Sequence, residues 1–168
     1  MAPMKQRDQL YDQVLVLRCR EGDDEAFGLL MDRWQERLWR HAFRLSGHED
    51  AAWDILQESW LGISRGIQRL QDPAAFPGWA YRIVSNKCRD WIRREQRRRQ
   101  GVQDYADRFV EEHARGDEEL FADLRDALEK LSLPDQSILA LRYEQGFDTA
   151  EIAGILGIPE GTVRSRLH

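Results

Sequence analysis

The sequence predicts an all-α protein: two small helical domains joined by a flexible linker, the second carrying a helix-turn-helix. Three observations predict it. Apolar residues recur at steps of three, four or seven along most of the 168 residues, with no strand alternation of useful length and no internal repeat. That periodicity lapses after Arg99, in the charged stretch QGVQDYADRFVEEHARGDEE. The closing stretch, TAEIAGILGIPEGTVRSRLH, sets two short apolar periods on either side of Gly157 and Pro159. The boundaries that follow are 8–99 for the first domain, 100–116 for the linker and 117–168 for the second domain.

Each element has its own signal. Leu10, Val14 and Leu17 are spaced as one apolar face of a short leading helix. Gly22-Asp23-Asp24 then breaks and recaps the chain before a long helix with Phe27, Leu30, Trp34, Leu38 and Leu45 inward. From Glu49 a second long helix places Ala52, Ile55, Trp60, Ile63 and Ile67 near one side. Pro73, Pro77 and Gly78 punctuate a loop. The next helix has Phe76, Ala80, Ile83, Val84, Cys88 and Trp91 as its apolar set, and the spacing predicts that most of the six tryptophans pack inside. Beyond the linker, Leu120, Leu124, Leu128 and Leu131 resume the helical period, SLPDQ breaks and recaps it, and QSILALRYEQG forms one more short helix ending at Gly146.

Composition narrows the function. Hydrophobic residues make up 42% and charged residues 33%, as in a folded helical protein with amphipathic surfaces. No apolar run approaches the roughly 20 residues that span a bilayer, and MAPMKQRDQLYDQ lacks a signal-peptide core. Cys19 and Cys88 are far apart in sequence and read as small apolar residues in a reducing cytoplasm. His41, His48, His113 and His168 show no metal-ligand spacing, and no nucleophile–base pair or phosphate loop is present, so no metal, cofactor or catalytic residue is expected. The net charge of -5 argues against nucleic acid only as an average. Between Tyr81 and Arg99 stand eight Lys/Arg and two Asp/Glu, a local footprint for a polyanion.

Three faces are candidates for binding. In the closing stretch, Ile152 and Leu156 on one helix and Val163 and Leu167 on the next are each four apart, Ala153 permits close crossing, and Gly157 suits a positive φ. Pro159 stops the first helix and opens the second. Glu160, Thr162, Arg164, Ser165, Arg166 and His168 are left for solvent, where a helix-turn-helix presents residues to the major groove. Arg can hold a guanine edge through two hydrogen bonds, and Ser or Thr can meet bases or phosphates. Arg82, Asn86, Arg89, Arg93 and Arg97 form a second stripe, of phosphate binders and one base-edge reader. Asp54, Gln57, Glu58 and Leu61 share a third face, whose exposed Leu beside two acids suits a partner with basic and apolar groups.

The stretch LPDQSILALRYEQGFDTAEIAGILGIPEGTVRSRLH resembles the promoter-reading domain of the extracytoplasmic-function (group IV) sigma factors of bacterial RNA polymerase, departing from the usual pattern at Ser137 (often Arg) and Asp148 (often Ser). DAAWDILQESWLGISRGIQRL is similar to that family's polymerase-binding helix, and AFPGWAYRIVSNKCRDWIRREQRRR to the helix that follows. The resemblance implies a subunit that binds core polymerase, directs it to promoters and helps open the DNA. It implies that Asp54, Gln57, Glu58 and Leu61 dock on the β′ clamp helices. It gives the minus-ten element to Arg82, Asn86, Arg89, Arg93 and Arg97 with the loop from Asp72 to Gly78, which captures a flipped base. It gives the minus-thirty-five element to Thr162, Arg164, Ser165, Arg166 and His168. Many members of the family are held inactive by an anti-sigma partner. In the family the last helix continues with more basic residues, so the resemblance implies a truncated grip and weak minus-thirty-five recognition. The rival to this reading is a freestanding helix-turn-helix regulator, which has no need of the Asp54/Glu58 face.

Overall fold

The computed structural model describes residues 6–100 and 131–168, and among these every regular element is helical. Short polar side chains and glycines set the helix ends. Helix α1 (Gln6–Arg20) gives way to α2 (Asp24–Ser46) through Gly22 at φ 87 and Asp23, whose carboxylate accepts from Ala26 N at 3.0 Å. That hydrogen bond, followed by one from Arg18, holds the Asp23 carboxyl below its ordinary range. Gly47 at φ 72 closes α2, and α3 (Glu49–Gly66) follows. Single 3-10 turns occupy Ile67–Arg69 and Pro73–Ala75, and α4 runs from Phe76 to Gln100. The second half holds α5 (Leu133–Leu139), a π turn at Ala140–Glu144, α6 (Thr149–Leu156) and α7 (Glu160–Leu167).

Helix α2 is the centre of the first half, packed against α1, α3 and α4. Trp34 is buried with its ring edge-on to Phe76 at 5.4 Å and Tyr81 at 6.1 Å. Leu30, Leu38, Ile63 and Val84 complete this layer, and each such side chain contributes about 1.5–3 kcal/mol on burial. The stripes expected on α2, α3 and α4 all face inward, Leu45, Phe27, Ile83 and Trp91 only partly.

The structure corrects the expected face of α1. Leu10 is 61% exposed, and Val14 and Leu17 also face solvent. The inward residues are Asp12, Leu15, Val16 and Cys19. Asp12 is accommodated because Arg33 Nε donates to its Oδ1 at 2.6 Å; a buried carboxylate without such a partner would be strongly unfavourable. Pro77 and Gly78, expected in a loop, lie in the first turn of α4, where a missing N–H costs nothing. The helix expected to run to Gly146 ends as α5 at Leu139 and widens into the π turn, where Gln145 N donates to Ala140 O at 3.1 Å. Leu120, Leu124, Leu128 and residues 101–116 of the linker lie outside the described residues.

The two halves pack against each other. Ile138, Leu141, Ile152, Ile155, Leu156 and Val163 join the same apolar cluster as the first-half core. The seam runs along α2 and α4 on one side and α5 and α6 on the other, with Arg44 of α2 reaching Glu144 of the π turn at 3.2 Å.

Candidate functional site

On α4 the expected stripe is solvent-facing at Arg82, Asn86, Arg93 and Arg97. Arg89 differs: it is half-buried, its guanidinium lies against Gly157, and it donates to the Asn86 carboxamide oxygen. The loop expected to capture a base is a 3-10 turn, which the Asp72 carboxylate caps by accepting from Ala74 N at 2.9 Å. Gly78 faces Phe147 of the second half. Beside them lies an open cleft of about 560 Å³, lined in part by Pro77, Gly78, Trp79, Arg82 and Phe147. Phe147 carried no expectation from sequence, because its ring meets Tyr81 and Gly78, both in the first half.

On α3, Asp54, Gln57 and Leu61 are exposed, Leu61 by 55%. Ile55 and Ile63 are buried on the other side, so the helix divides as its periodicity predicts. Glu58 is turned toward α4, where Lys87 Nζ stands 3.2 Å and Arg94 3.9 Å from its carboxylate. Trp53 departs from the expectation of packed tryptophans: it is 51% exposed, its ring 5.5 Å from Trp39, which stacks on Phe43. Trp79 leans on Gly66 and Trp91 on His48.

The helix-turn-helix forms as its sequence requires. Asp148 caps α6, accepting from Glu151 N at 2.8 Å while Glu151 accepts from Asp148 N, so Asp does what the family's Ser would do here. Gly157 adopts φ 64. Ile152 and Val163 are fully buried between the helices. Arg164, Ser165, Arg166 and His168 are exposed and Thr162 is half-exposed. Glu160 holds Thr149 Oγ1 at 2.6 Å and Arg164 at 2.7 Å, two bonds that lower its carboxyl pKa. Arg166 reaches Asp135 at 3.5 Å.

Both cysteines are buried and free, and burial pushes the Cys88 thiol up to about 12. No helix of the described residues is long and apolar enough to cross a membrane.

Comparison with known proteins fits this geometry. Residues 30–98 match sigma-70 region 2, and residues 121–168 match sigma-70 region 4. The chain is 31% identical to the ECF RNA polymerase sigma-E factor of Haemophilus influenzae, over 95% of this chain and 91% of that protein. It is 35% identical to the ECF RNA polymerase sigma factor SigE of Mycolicibacterium smegmatis, over 83% of this chain but only 56% of that longer protein. The fold is similar to that of RpoE from Bartonella quintana, solved with the anti-sigma factor NepR (TM-score 0.60, 24% identity, 84% of this chain and 89% of that one). It is likewise similar to CnrH solved with the cytosolic domain of CnrY (TM-score 0.59, 24% identity, 94% and 90%). Two helical units in this order, each with its own exposed cationic face, define a sigma factor of the sigma-70 class. Within that class the chain belongs to the extracytoplasmic-function (ECF) family, whose work is to direct RNA polymerase to promoters. The region 2 match leaves the freestanding regulator unfavoured.

Proposed function

We propose that the chain initiates transcription through three surfaces. Asp54, Gln57 and Leu61, with Glu58 behind them, dock on the clamp helices of the polymerase β′ subunit. Arg82, Asn86, Arg89, Arg93 and Arg97, with Asp72 and Gly78 at the adjoining turn, engage the minus-ten element. Thr162, Arg164, Ser165, Arg166 and His168 read the minus-thirty-five element. The functional units are residues 8–99 and 117–168, acting in the cytoplasm, with no chemistry of their own. An anti-sigma protein is the expected regulator, by likeness to RpoE.

The observation that carries this reading is the exposed arginine stripe of α4, on a chain whose net charge is -5. Its arginines suit phosphates and Asn86 suits a base edge. The α3 face supports the polymerase assignment, since an exposed leucine beside an acid and an amide serves no packing purpose among the described residues. The test is titration of core polymerase with the double variant Asp54→Arg, Leu61→Asp. Glu58 is left in place because its pair with Lys87 joins α3 to α4. Loss of at least tenfold in affinity, with unchanged circular dichroism, is expected from placing like charges and removing an apolar contact. Wild-type affinity in the folded variant refutes the docking face.

A further inference from the structure

Trp53 is a tryptophan that the fold supports without enclosing. Its ring centroid lies 5.5 Å from that of Trp39 on α2, and Trp39 stacks on Phe43 at 5.5 Å with the two planes 10° apart. Three rings therefore stand in series across the outer side of α2 and α3, and the last of them is 51% exposed. A tryptophan offers 150–250 Å² for burial, so on the order of 100 Å² of Trp53 is left in water. Trp53, Gln57 and Leu61 are spaced i, i+4, i+8 and all three are exposed, so the indole continues the α3 face already assigned to polymerase docking.

Carboxylates surround this ring. Glu49, Asp50 and Asp54 are exposed and make no ion pair among the described residues, whereas Glu58 on the same helix is held by Lys87 at 3.2 Å. Glu49 and Asp50 stand in the first turn of α3, where the helix dipole favours an acid. Asp54 lies a turn further on and has no such reason. An exposed indole beside unpaired acids attracts a cation twice, through the ring face and through the carboxylates. The same acids repel phosphates, so nucleic acid is a poor occupant. We infer that Trp53 is a cation-capturing ledge: it receives an arginine side chain of core polymerase over its indole, with Asp50 and Asp54 beside the guanidinium and Trp39 and Phe43 propping the ring. Arginine fits better than lysine because its planar, weakly hydrated head stacks on an aromatic face. The inference rests on the α3 face being the surface that docks on polymerase.

The experiment titrates core polymerase with the full chain carrying substitutions at position 53. Trp53→Ala and Trp53→Leu, each checked for wild-type circular dichroism, are expected to weaken binding about tenfold, and Trp53→Phe by less. Tryptophans bearing successively more ring fluorines, introduced at this position alone, keep the shape and apolar character of the side chain while draining the negative charge of its face. Affinity is expected to fall stepwise along that series, by about fivefold at the most fluorinated ring. Wild-type affinity in folded Trp53→Ala overturns the inference. So does a flat or rising fluorine series, which would make the contact apolar only, and this arm holds even where Trp53→Ala fails to fold. The Asp54→Arg, Leu61→Asp variant separates the two readings. If it binds as wild type does, the docking face itself is at fault; if it loses binding while the Trp53 variants keep theirs, the docking face stands and the cation ledge alone is refuted.

Discussion

The His41 ring gives the fold a pH dependence whose sign and size follow from its surroundings. Burial holds the imidazole neutral and lowers its pKa to about 3, with the nearby Arg44 guanidinium acting in the same direction. In the unfolded chain the ring meets water and titrates at its ordinary value near 6.5. Between these values the unfolded form carries a proton that the native ring refuses. Stability is therefore complete above about pH 6.5 and falls as pH drops through that value toward about pH 3. The slope is about 1.4 kcal/mol per pH unit, so going from pH 7.5 to 5.0 costs about 2 kcal/mol. For a chain of this size that corresponds to a fall of about 4–8 °C in Tm. The carboxyls of Asp23 and Glu160, held low by hydrogen bonds, stay largely ionised in both states down to about pH 5.0 and contribute little. The assay is urea and thermal unfolding at pH 7.5, 6.5, 5.8 and 5.0 for wild type and His41→Gln. The glutamine amide can still bond Ser85 and Ser137, yet it does not titrate. The variant is expected to be less stable at pH 7.5 and nearly flat with pH. Parallel pH slopes in the two proteins refute the argument.

Two further predictions come from single side chains. Asp148→Ala removes the capping box of α6 and is expected to destabilise the helix-turn-helix by about 1 kcal/mol in a urea titration, while Asp148→Ser retains most of that stability. Arg93→Ala in the holoenzyme is expected to weaken binding to different promoters to a similar degree and to flatten the plot of log Kd against log salt by about one, the signature of one lost phosphate contact; an unchanged slope returns Arg93 to the solvated surface.

How much of this was legible in the sequence depended on the range of the interaction that decides each feature. The cap at Asp23, the positive φ of Gly157 and the inward stripe Leu30–Trp34–Leu38 are decided within one or two helical turns, and the sequence states them directly. Helix α1 misled because apolar residues lie on most of its sides. Leu10, Val14 and Leu17 form as good a stripe as Leu15, Val16 and Cys19, and the choice was made by Arg33, 21 residues away, which makes the burial of Asp12 tolerable. The candidate faces divide in the same way. Exposure of Asp54, Leu61 and Arg93 follows from periodicity, whereas the pairing of Glu58 with Lys87 and the seating of Arg89 on Gly157 are long-range and leave no local trace.

The seam between the halves leaves one trace after all. The α2 stripe steps from Trp34 to Leu38 and then jumps seven to Leu45, and the position that fills the gap is His41. A histidine in register with a buried stripe must find partners for both ring nitrogens or be strongly destabilising. Ser85 of α4 lies within the same half and satisfies only one. The other requires a small hydroxyl brought from elsewhere, and the position that supplies it is Ser137, where the family often has Arg. An arginine there would set a cation against the enclosed ring and the Arg44 guanidinium. Taken alone, the serine reads as a neutral departure from a pattern, and the histidine as an interruption of a stripe. Taken together, the unmet hydrogen bond of one and the reduced size of the other are complementary, and that complementarity lets these two helical units close on each other.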